Sequence, residues 1–307
     1  MVKEIFLYIF LSTIIFKIFQ KYFSILVLDK PSFRSSHNKV TPTSGGLVFL
    51  LIHFINILLT GNYKLLILLP IGILGFFDDV ININQLYRLI FQFLNISIIY
   101  FSYFNFSILN IIQLPSSITF LITLFIGLLL VNCINFMDGI DGLVASNMFL
   151  IFLNYAFVNN RDFLGITICL FVFLFYNWCP AKLFMGDSGS TFLGITLFFM
   201  IFINKDLTSS LTIFLTASPL LMDSIICILR RLLNRENIFS AHNKHLYQRL
   251  QRNGMKHSKV TLIYTCSTLL LLVLSHFNNL IIMSTLVILL LIFGIYLEKR
   301  YAIPFKA

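Results

Sequence analysis

Eleven stretches of this chain are apolar almost without interruption: residues 5–28, 45–60, 65–77, 89–104, 116–136, 142–158, 163–177, 189–203, 209–229, 259–276 and 279–297. A helix needs about 20 mostly apolar residues to cross a bilayer core, fewer where the bilayer thins. The stretches are continuous rather than alternating, which predicts helices and not the strands of a barrel. Several are short, and those at 65–77 and 163–177 are the weakest candidates for a crossing; a re-entrant segment at such a place would leave ten spans. Only 11% of the 307 residues are charged, whereas a soluble domain carries about a quarter. No soluble domain of useful size is left over. The expected fold class is all-α: one polytopic membrane domain over residues 1–307, with a basic loop at 229–259 inside it. The first stretch has no convincing small-residue cleavage site and reads as a retained span rather than a removed signal peptide.

Basic residues choose the orientation. With the N-terminus outside, sixteen lysines and arginines fall on inner loops and only Lys3, Lys64, Arg161 and Lys205 fall outside, so the positive-inside rule places the loops after the odd-numbered spans in the cytoplasm. The net charge of +10 reflects that bias and not a nucleic-acid partner. Asp78, Asp79, Asp138, Asp141, Asp187 and Asp223 are far apart in sequence, yet all fall at inner loops or inner span ends. A carboxylate beside hydrocarbon is costly and usually marks a functional interior. Five cysteines, Cys133, Cys169, Cys179, Cys227 and Cys266, show no metal-binding spacing and read as small packing residues.

Several motifs carry the chemistry. Gly75-Phe76-Phe77-Asp78-Asp79 ends the third span with adjacent carboxylates, which raise one another's pKa unless a cation lies beside them. That suits a metal site or a general base, though such a pair alone is weak evidence. In Asn135-Phe136-Met137-Asp138-Gly139-Ile140-Asp141-Gly142 the polar residues recur every three positions, which would align them on one face of a helical or 3₁₀ segment. Phe184-Met185-Gly186-Asp187-Ser188-Gly189-Ser190 opens the eighth span; its free N–H groups suit an anion, and Asp187 suits a hard cation such as Mg²⁺. The basic loop holds His242-Asn243-Lys244-His245-Leu246-Tyr247-Gln248-Arg249-Leu250. It reads either as a surface helix touching anionic lipid or as a diphosphate clamp formed by His245 and Arg249. A zinc site on its two histidines lacks partners. Arg34 to Gly46 is a further polar, glycine-containing turn before a span.

Together these motifs resemble the polyprenyl-phosphate N-acetylhexosamine-1-phosphate transferase family, a glycosyltransferase 4 family. The resemblance runs in order through Thr41-Pro42-Thr43-Ser44-Gly45-Gly46, then Gly75–Asp79, Asn135–Gly142, Phe184–Ser190 and His242–Leu250. It implies a cytoplasmic-face active site in a bacterial inner membrane. There undecaprenyl phosphate would attack the β-phosphate of a UDP-N-acetylsugar, release UMP, and start O-antigen or another surface glycan. Mg²⁺, with Mn²⁺ as a substitute, would be the cofactor, as positioning and electrostatics dominate phosphoryl transfer. By motif position, the resemblance implies Asp187 as metal ligand, and Asp78 or Asp79 assisting the metal or the lipid phosphate. It also implies Asp138 and Asn135 supporting the diphosphate, Asp141 and Phe184 holding uracil, His245 among the catalytic groups, and Lys39 reaching the nucleotide. A homodimer is compatible with such a protein.

Two departures narrow the resemblance. Tyr247 and Gln248 stand where the family often has histidines, which points to the branch using UDP-GlcNAc or UDP-FucNAc and away from the lipid I-type phospho-MurNAc-pentapeptide translocase. The basic residue common after the aspartate pair is missing, with Arg88 as a substitute. The reading from a different class is a transporter, which predicts acids near mid-span and a repeated half-structure. The acids here lie at span ends, and no repeat is evident.

Overall fold

The computed structural model describes residues 2–22, 28–29, 40–103, 115–204, 206–237, 240 and 242–305. Its elements follow the apolar stretches. They are α1 (Val2–Tyr22), α2 (Gly45–Thr60), α3 (Leu69–Ile81), α4 (Gln85–Tyr103), α5 (Ser116–Met137), α6 (Leu143–Val158) and α7 (Leu164–Asn177), then α8 (Gly186–Ile203), α9 (Leu207–Thr216), α10 (Ser218–Leu233), α11 (Leu246–Arg252), α12 (His257–Ser275) and α13 (Leu280–Tyr301). The two-residue strands β1 (Leu28–Asp29) and β2 (Thr41–Pro42) pair antiparallel. The protein is an all-α polytopic membrane protein. Helices α5, α8, α12 and α13 are long and apolar enough to cross a bilayer, and α9 with α10 adds a fifth span if the pair is one broken crossing.

That broken pair corrects one expectation. The stretch at 209–229 was expected to be a single span, but the helix turns by 69° between Thr216 and Ser218. Pro219 lies in the first turn of α10, where its missing N–H costs nothing, whereas inside a continuous helix it would remove a hydrogen bond and clash with the preceding turn. The third stretch is also subdivided, with a 3₁₀ turn at Tyr63–Leu68 before α3.

Helix α8 is the axis of the bundle. Most of it is buried, with α2, α3, α5 and α9 packed around it, whereas α13 lies at the edge with little of its surface covered. Neighbouring spans gain nothing from hiding apolar surface, since lipid is as apolar as they are, so close packing and interhelical polar contacts hold them together. Gly75 shows how close α3 comes to α8: a Cβ there would lie 2.5 Å from the backbone oxygen of Asp187. Polar side chains inside the bundle find partners, as they must away from water. Tyr8 donates to Asn56 Oδ1 at 2.6 Å, Thr268 to Asn147 Oδ1 at 2.6 Å, and Ser146 and Thr265 share a hydrogen bond of 2.7 Å.

Gly75→Ala should therefore separate α3 from α8 and cost about 1–3 kcal/mol, the usual cost of overpacking. A clear fall in melting temperature in detergent checks this. Gly294→Ala serves as control, because the nearest atom to a new Cβ there is 3.9 Å away, and it should be neutral or slightly stabilising through helix propensity.

Candidate active site

Four helix ends meet at one end of the bundle: the C-termini of α3 and α5 and the N-termini of α8 and α12. They surround a cavity of about 620 Å³ whose walls include Asp29, Asp78, Asp79, Asp138, Asp141 and Asp187. Arg88 is the only lysine or arginine among the described residues lining it. The cavity is thus strongly acidic, but its carboxylates are not equivalent.

Asp79 is used as a helix cap. Its Oδ1 accepts the Asp187 N–H at 2.8 Å and its Oδ2 the Ser188 N–H at 3.1 Å. These amides belong to the first turn of α8, where the N–H groups have no partner inside the helix, and a negative charge there also complements the helix dipole. Gly186 makes the cap sterically feasible, since its φ is +70° and a Cβ would lie 2.5 Å from Asp79 Oδ2. Backbone bonds from Gly45 to Phe184 and from Gly46 to Met185, at 3.0 and 2.9 Å, fasten the 41–46 turn to the same corner.

Asp78 and Asp187 share Arg88. The guanidinium pairs with Asp78 Oδ2 and lies 3.0 Å from Asp187 Oδ2. The other oxygen of Asp78 accepts the Ile83 N–H at 2.6 Å. This bond helps turn the chain after α3, where Asn82 takes a left-handed φ of 50°, so that α4 begins beside α3. Asn135 donates to Asp187 Oδ1 and to Ser190 Oγ, both at 2.9 Å. Asp138 differs again: among the described residues its carboxylate has no hydrogen-bond or ion-pair partner. Burial, followed by the nearby carboxylates of Asp187, Asp79 and Asp141, pushes its pKa up to about 8.

The single helical face expected for Asn135, Asp138 and Asp141 is not formed. α5 ends at Met137 and Asp138 is its cap residue, with φ −83° and ψ 58°. A turn, rather than a helix, delivers Asp138 and Asp141 to the cavity. Asp141 Oδ2 accepts the Ala181 N–H at 3.1 Å, and Gly142 donates to Asn177 Oδ1 at 3.0 Å.

The expected diphosphate clamp lies elsewhere. Arg249 is buried; its guanidinium bonds Glu298 at 2.8 Å, the Ile303 carbonyl at 3.0 Å and the Lys244 carbonyl at 3.1 Å. It ties α11 to the end of α13 and does not line the acidic cavity. His245 is also buried and outside the cavity lining, with Nδ1 3.8 Å from Asp223 Oδ1. Asp223 does not line it either. It caps α11 by accepting the N–H groups of Leu246 at 2.7 Å and Tyr247 at 3.0 Å, and it takes the Tyr264 hydroxyl at 2.7 Å. Phe184 lines the cavity as expected. Lys39 lies outside the described residues.

Sequence reasoning missed Gln248 and His257, both of which line the cavity. Gln248 stood in the departing motif and carried a signal. His257 carried none, because its partner Asp141 is remote in sequence.

A cavity with this many carboxylates and one arginine calls for a further cation. The donors are hard oxygens, and Asp138 is left without a partner, so the residues fit Mg²⁺ or Mn²⁺. Asp187 and Asp78 would hold the ion.

The pattern of glycosyl transferase family 4 matches residues 62–204, the stretch that contributes α3, α5 and the start of α8 to this cavity. Residues 62–204 form a glycosyl transferase family 4 domain. Over a longer range the chain is similar to a probable undecaprenyl-phosphate N-acetylglucosaminyl 1-phosphate transferase of Bacillus subtilis, with 28% identity over 263 residues, 77% of this chain and 73% of that protein. An undecaprenyl-phosphate alpha-N-acetylglucosaminyl 1-phosphate transferase of Thermotoga maritima is 28% identical over 229 residues, 73% of each chain. A phospho-N-acetylmuramoyl-pentapeptide-transferase of Enterococcus faecalis is 34% identical over 187 residues, 50% of this chain and 58% of that protein. The chain therefore spans little more than half the length of this last relative.

Two outcomes test the division among the carboxylates. Asp79→Ala should cost about 0.5–2 kcal/mol, as loss of an N-cap does, with Asp79→Asn falling between it and the unchanged protein in a thermal melt. Asp138, with its pKa raised in the fold, favours the folded state most below the ordinary carboxylate range. That contribution is lost as the pH rises toward 8. In chelator, melting temperature should fall between pH 5 and 8.5, and Asp138→Asn should flatten that slope.

Proposed function

We propose that this protein transfers an N-acetylhexosamine 1-phosphate from a UDP-sugar to undecaprenyl phosphate, releasing UMP, at the cytoplasmic face of a bacterial inner membrane. The observation that carries the reading is the acidic cavity, in which Asp78 and Asp187 flank one arginine and Asp138 is left free. The relatives that align over about three quarters of the chain are named as N-acetylglucosaminyl 1-phosphate transferases, which favours UDP-GlcNAc as the donor. The residues at Tyr247 and Gln248 keep UDP-FucNAc as the second donor to try and O-antigen as the glycan started. Acids gathered at helix ends, with no acidic path through the bundle, do not favour transport.

In this reading each side chain has a task. Asp187 and Asp78 would hold Mg²⁺, which would supply charge neutralisation to the donor diphosphate during transfer. Asn135 orients Asp187, and Asp79 holds the helix end from which Asp187 projects. Arg88 screens two carboxylates and supplies positive charge to the phosphates. An oxygen of the lipid phosphate attacks the β-phosphorus, and the bond from that phosphorus to the oxygen of the departing UMP breaks. Asp138 lies where a carboxylate can take a proton from the lipid phosphate or support the diphosphate.

UMP release by the purified protein, with undecaprenyl phosphate and Mg²⁺, tests the assignment across UDP-GlcNAc, UDP-FucNAc, UDP-GalNAc and UDP-MurNAc-pentapeptide. Lipid-dependent release from one of the first three is expected, with loss in EDTA. Asp187→Ala should abolish transfer and leave the protein inserted in the membrane. Near-normal turnover by that variant would remove Asp187 as a metal ligand, and turnover of the pentapeptide donor alone would move the protein to the lipid I branch.

A further inference from the structure

The end of the cavity assigned to the nucleotide base is built differently from the sequence expectation. Asp141 was expected to hold uracil directly, yet both of its carboxylate oxygens have protein partners. Oδ2 accepts the Ala181 N–H, and Oδ1 lies 3.3 Å from His257 Nδ1. One turn further along α12, Thr261 donates its hydroxyl to the Asp141 carbonyl at 2.7 Å. Two successive turns of α12 are thereby fastened to the turn that carries Asp138 and Asp141.

The fastening orients an imidazole. His257 lines the cavity; its Nδ1 is buried 3.3 Å from Asp141 Oδ1 and has no other partner among the described residues, which leaves Nε2 as the nitrogen available to the cavity. Burial alone would raise the Asp141 carboxyl, but the bonds from His257 and from the Ala181 amide hold it below its ordinary range. Asp141 is then a charged acceptor, so the proton belongs on His257 Nδ1. An aspartate that holds one nitrogen of a histidine protonated fixes the tautomer of the other. In that tautomer Nε2 is the nitrogen offered to the cavity as an acceptor.

That acceptor discriminates between pyrimidines. Uracil carries an N–H at ring position 3, flanked by two carbonyls, whereas cytosine carries a lone pair at the same position. Nε2 can accept from the first and meets only another lone pair on the second. Phe184, on the wall of the same cavity, provides an aromatic face for either base. We propose that His257, held in one tautomer by Asp141, reads the base of the nucleotide donor by accepting a ring N–H and so selects uracil over cytosine. The inference rests on the transferase reading above and adds a residue that reads the base. His257 is the contacting group and Asp141 its positioning residue.

Binding of UMP and CMP to the full-length protein in detergent, measured by calorimetry with Mg²⁺ present, tests this directly. The unchanged protein should prefer UMP by about tenfold or more, the scale of one hydrogen bond made or left unmade in a cavity. His257→Ala should bring the two nucleotides to within about threefold, chiefly by weakening UMP. It should also raise KM for the UDP-sugar more than it lowers kcat, as expected for a contact kept through the reaction. Asp141→Asn is the sharper test. Its amide can still accept from Ala181 while donating to Nδ1, which moves the imidazole proton to Nε2. The imidazole then donates to the base, and preference should shift toward CMP. A merely structural role for Asp141 would weaken both nucleotides alike. Undiminished UMP preference in both variants, in a protein that still transfers sugar phosphate, would overturn the role of His257 and leave the transferase reading standing. Failure of the unchanged protein both to bind UMP and to transfer would instead overturn that reading, and this inference with it.

Discussion

The Asp79 carboxylate accepts the amides of Asp187 and Ser188 in the first turn of α8, and the position of nearly every other group in the cavity follows from that contact. Helix α8 is the most enclosed span, so its N-terminal amides cannot rely on water. A capping residue normally comes from the same chain segment, one or two residues earlier. Here it comes from α3, more than one hundred residues away, and it can do so only because α3 and α8 touch at Gly75. Asp187 is the second residue of α8, so fixing the amide of Asp187 also fixes where its carboxylate points. Asn135 of α5 then meets one oxygen and Arg88 of α4 the other. Four helices are registered against one another by a single helix end.

The same use of aspartate recurs, and it sorts the acids that sequence placed together. Asp223 caps α11 from within α10, and Asp141 takes a backbone amide and an imidazole. These groups, like Asp79, have their oxygens taken by protein donors and contribute placement. Asp78 and Asp187 share one guanidinium, and the Asp138 carboxylate has no partner among the described residues. A low-dielectric cavity does not tolerate that much uncompensated charge, and its choices are to bind protons or a cation. The raised pKa of Asp138 is the first response, and the second is the divalent ion that Asp78 and Asp187 are proposed to hold. Charge that the fold leaves unmet is the charge available to a metal and a diphosphate.

Much of this was legible in sequence, for reasons that also mark where legibility stops. The continuous apolar stretches located the helices because a bilayer imposes a length and forbids unpaired backbone. The 69° break between α9 and α10 left only a weak trace, Pro219 within an otherwise unbroken apolar run. The gathering of Asp78, Asp79, Asp138, Asp141 and Asp187 at one end was readable because each adjoins the end of an apolar stretch. Which of Asp78 and Asp79 caps α8 and which faces Arg88 was not, since the distinction lies in amides of Asp187 and Ser188. Sequence passed over His257 and read Arg249 as a phosphate ligand for the same cause: their partners, Asp141 and Glu298, are remote in sequence and neighbours only in the fold.

The departing motif at Tyr247 and Gln248 also gains a physical sense. Asp223 holds the start of α11, and from there the Tyr247 hydroxyl donates to the Phe136 carbonyl at 2.9 Å, bracing the chain just before Asp138. Gly139 is in close contact with that hydroxyl, so a side chain there would collide with it. Gln248 spends its oxygen on the His245 N–H at 3.2 Å and presents the remainder of its amide to the cavity. Histidines at these two positions would bring titratable groups against the free carboxylate of Asp138. A tyrosine and a glutamine bring a fixed hydroxyl and a neutral amide instead. The result is a cavity whose ionisable imidazole is His257, on the opposite wall and already committed to Asp141. In the proposed transfer, charge for the phosphates is then assigned to Arg88 and a metal ion, and the imidazole to the base.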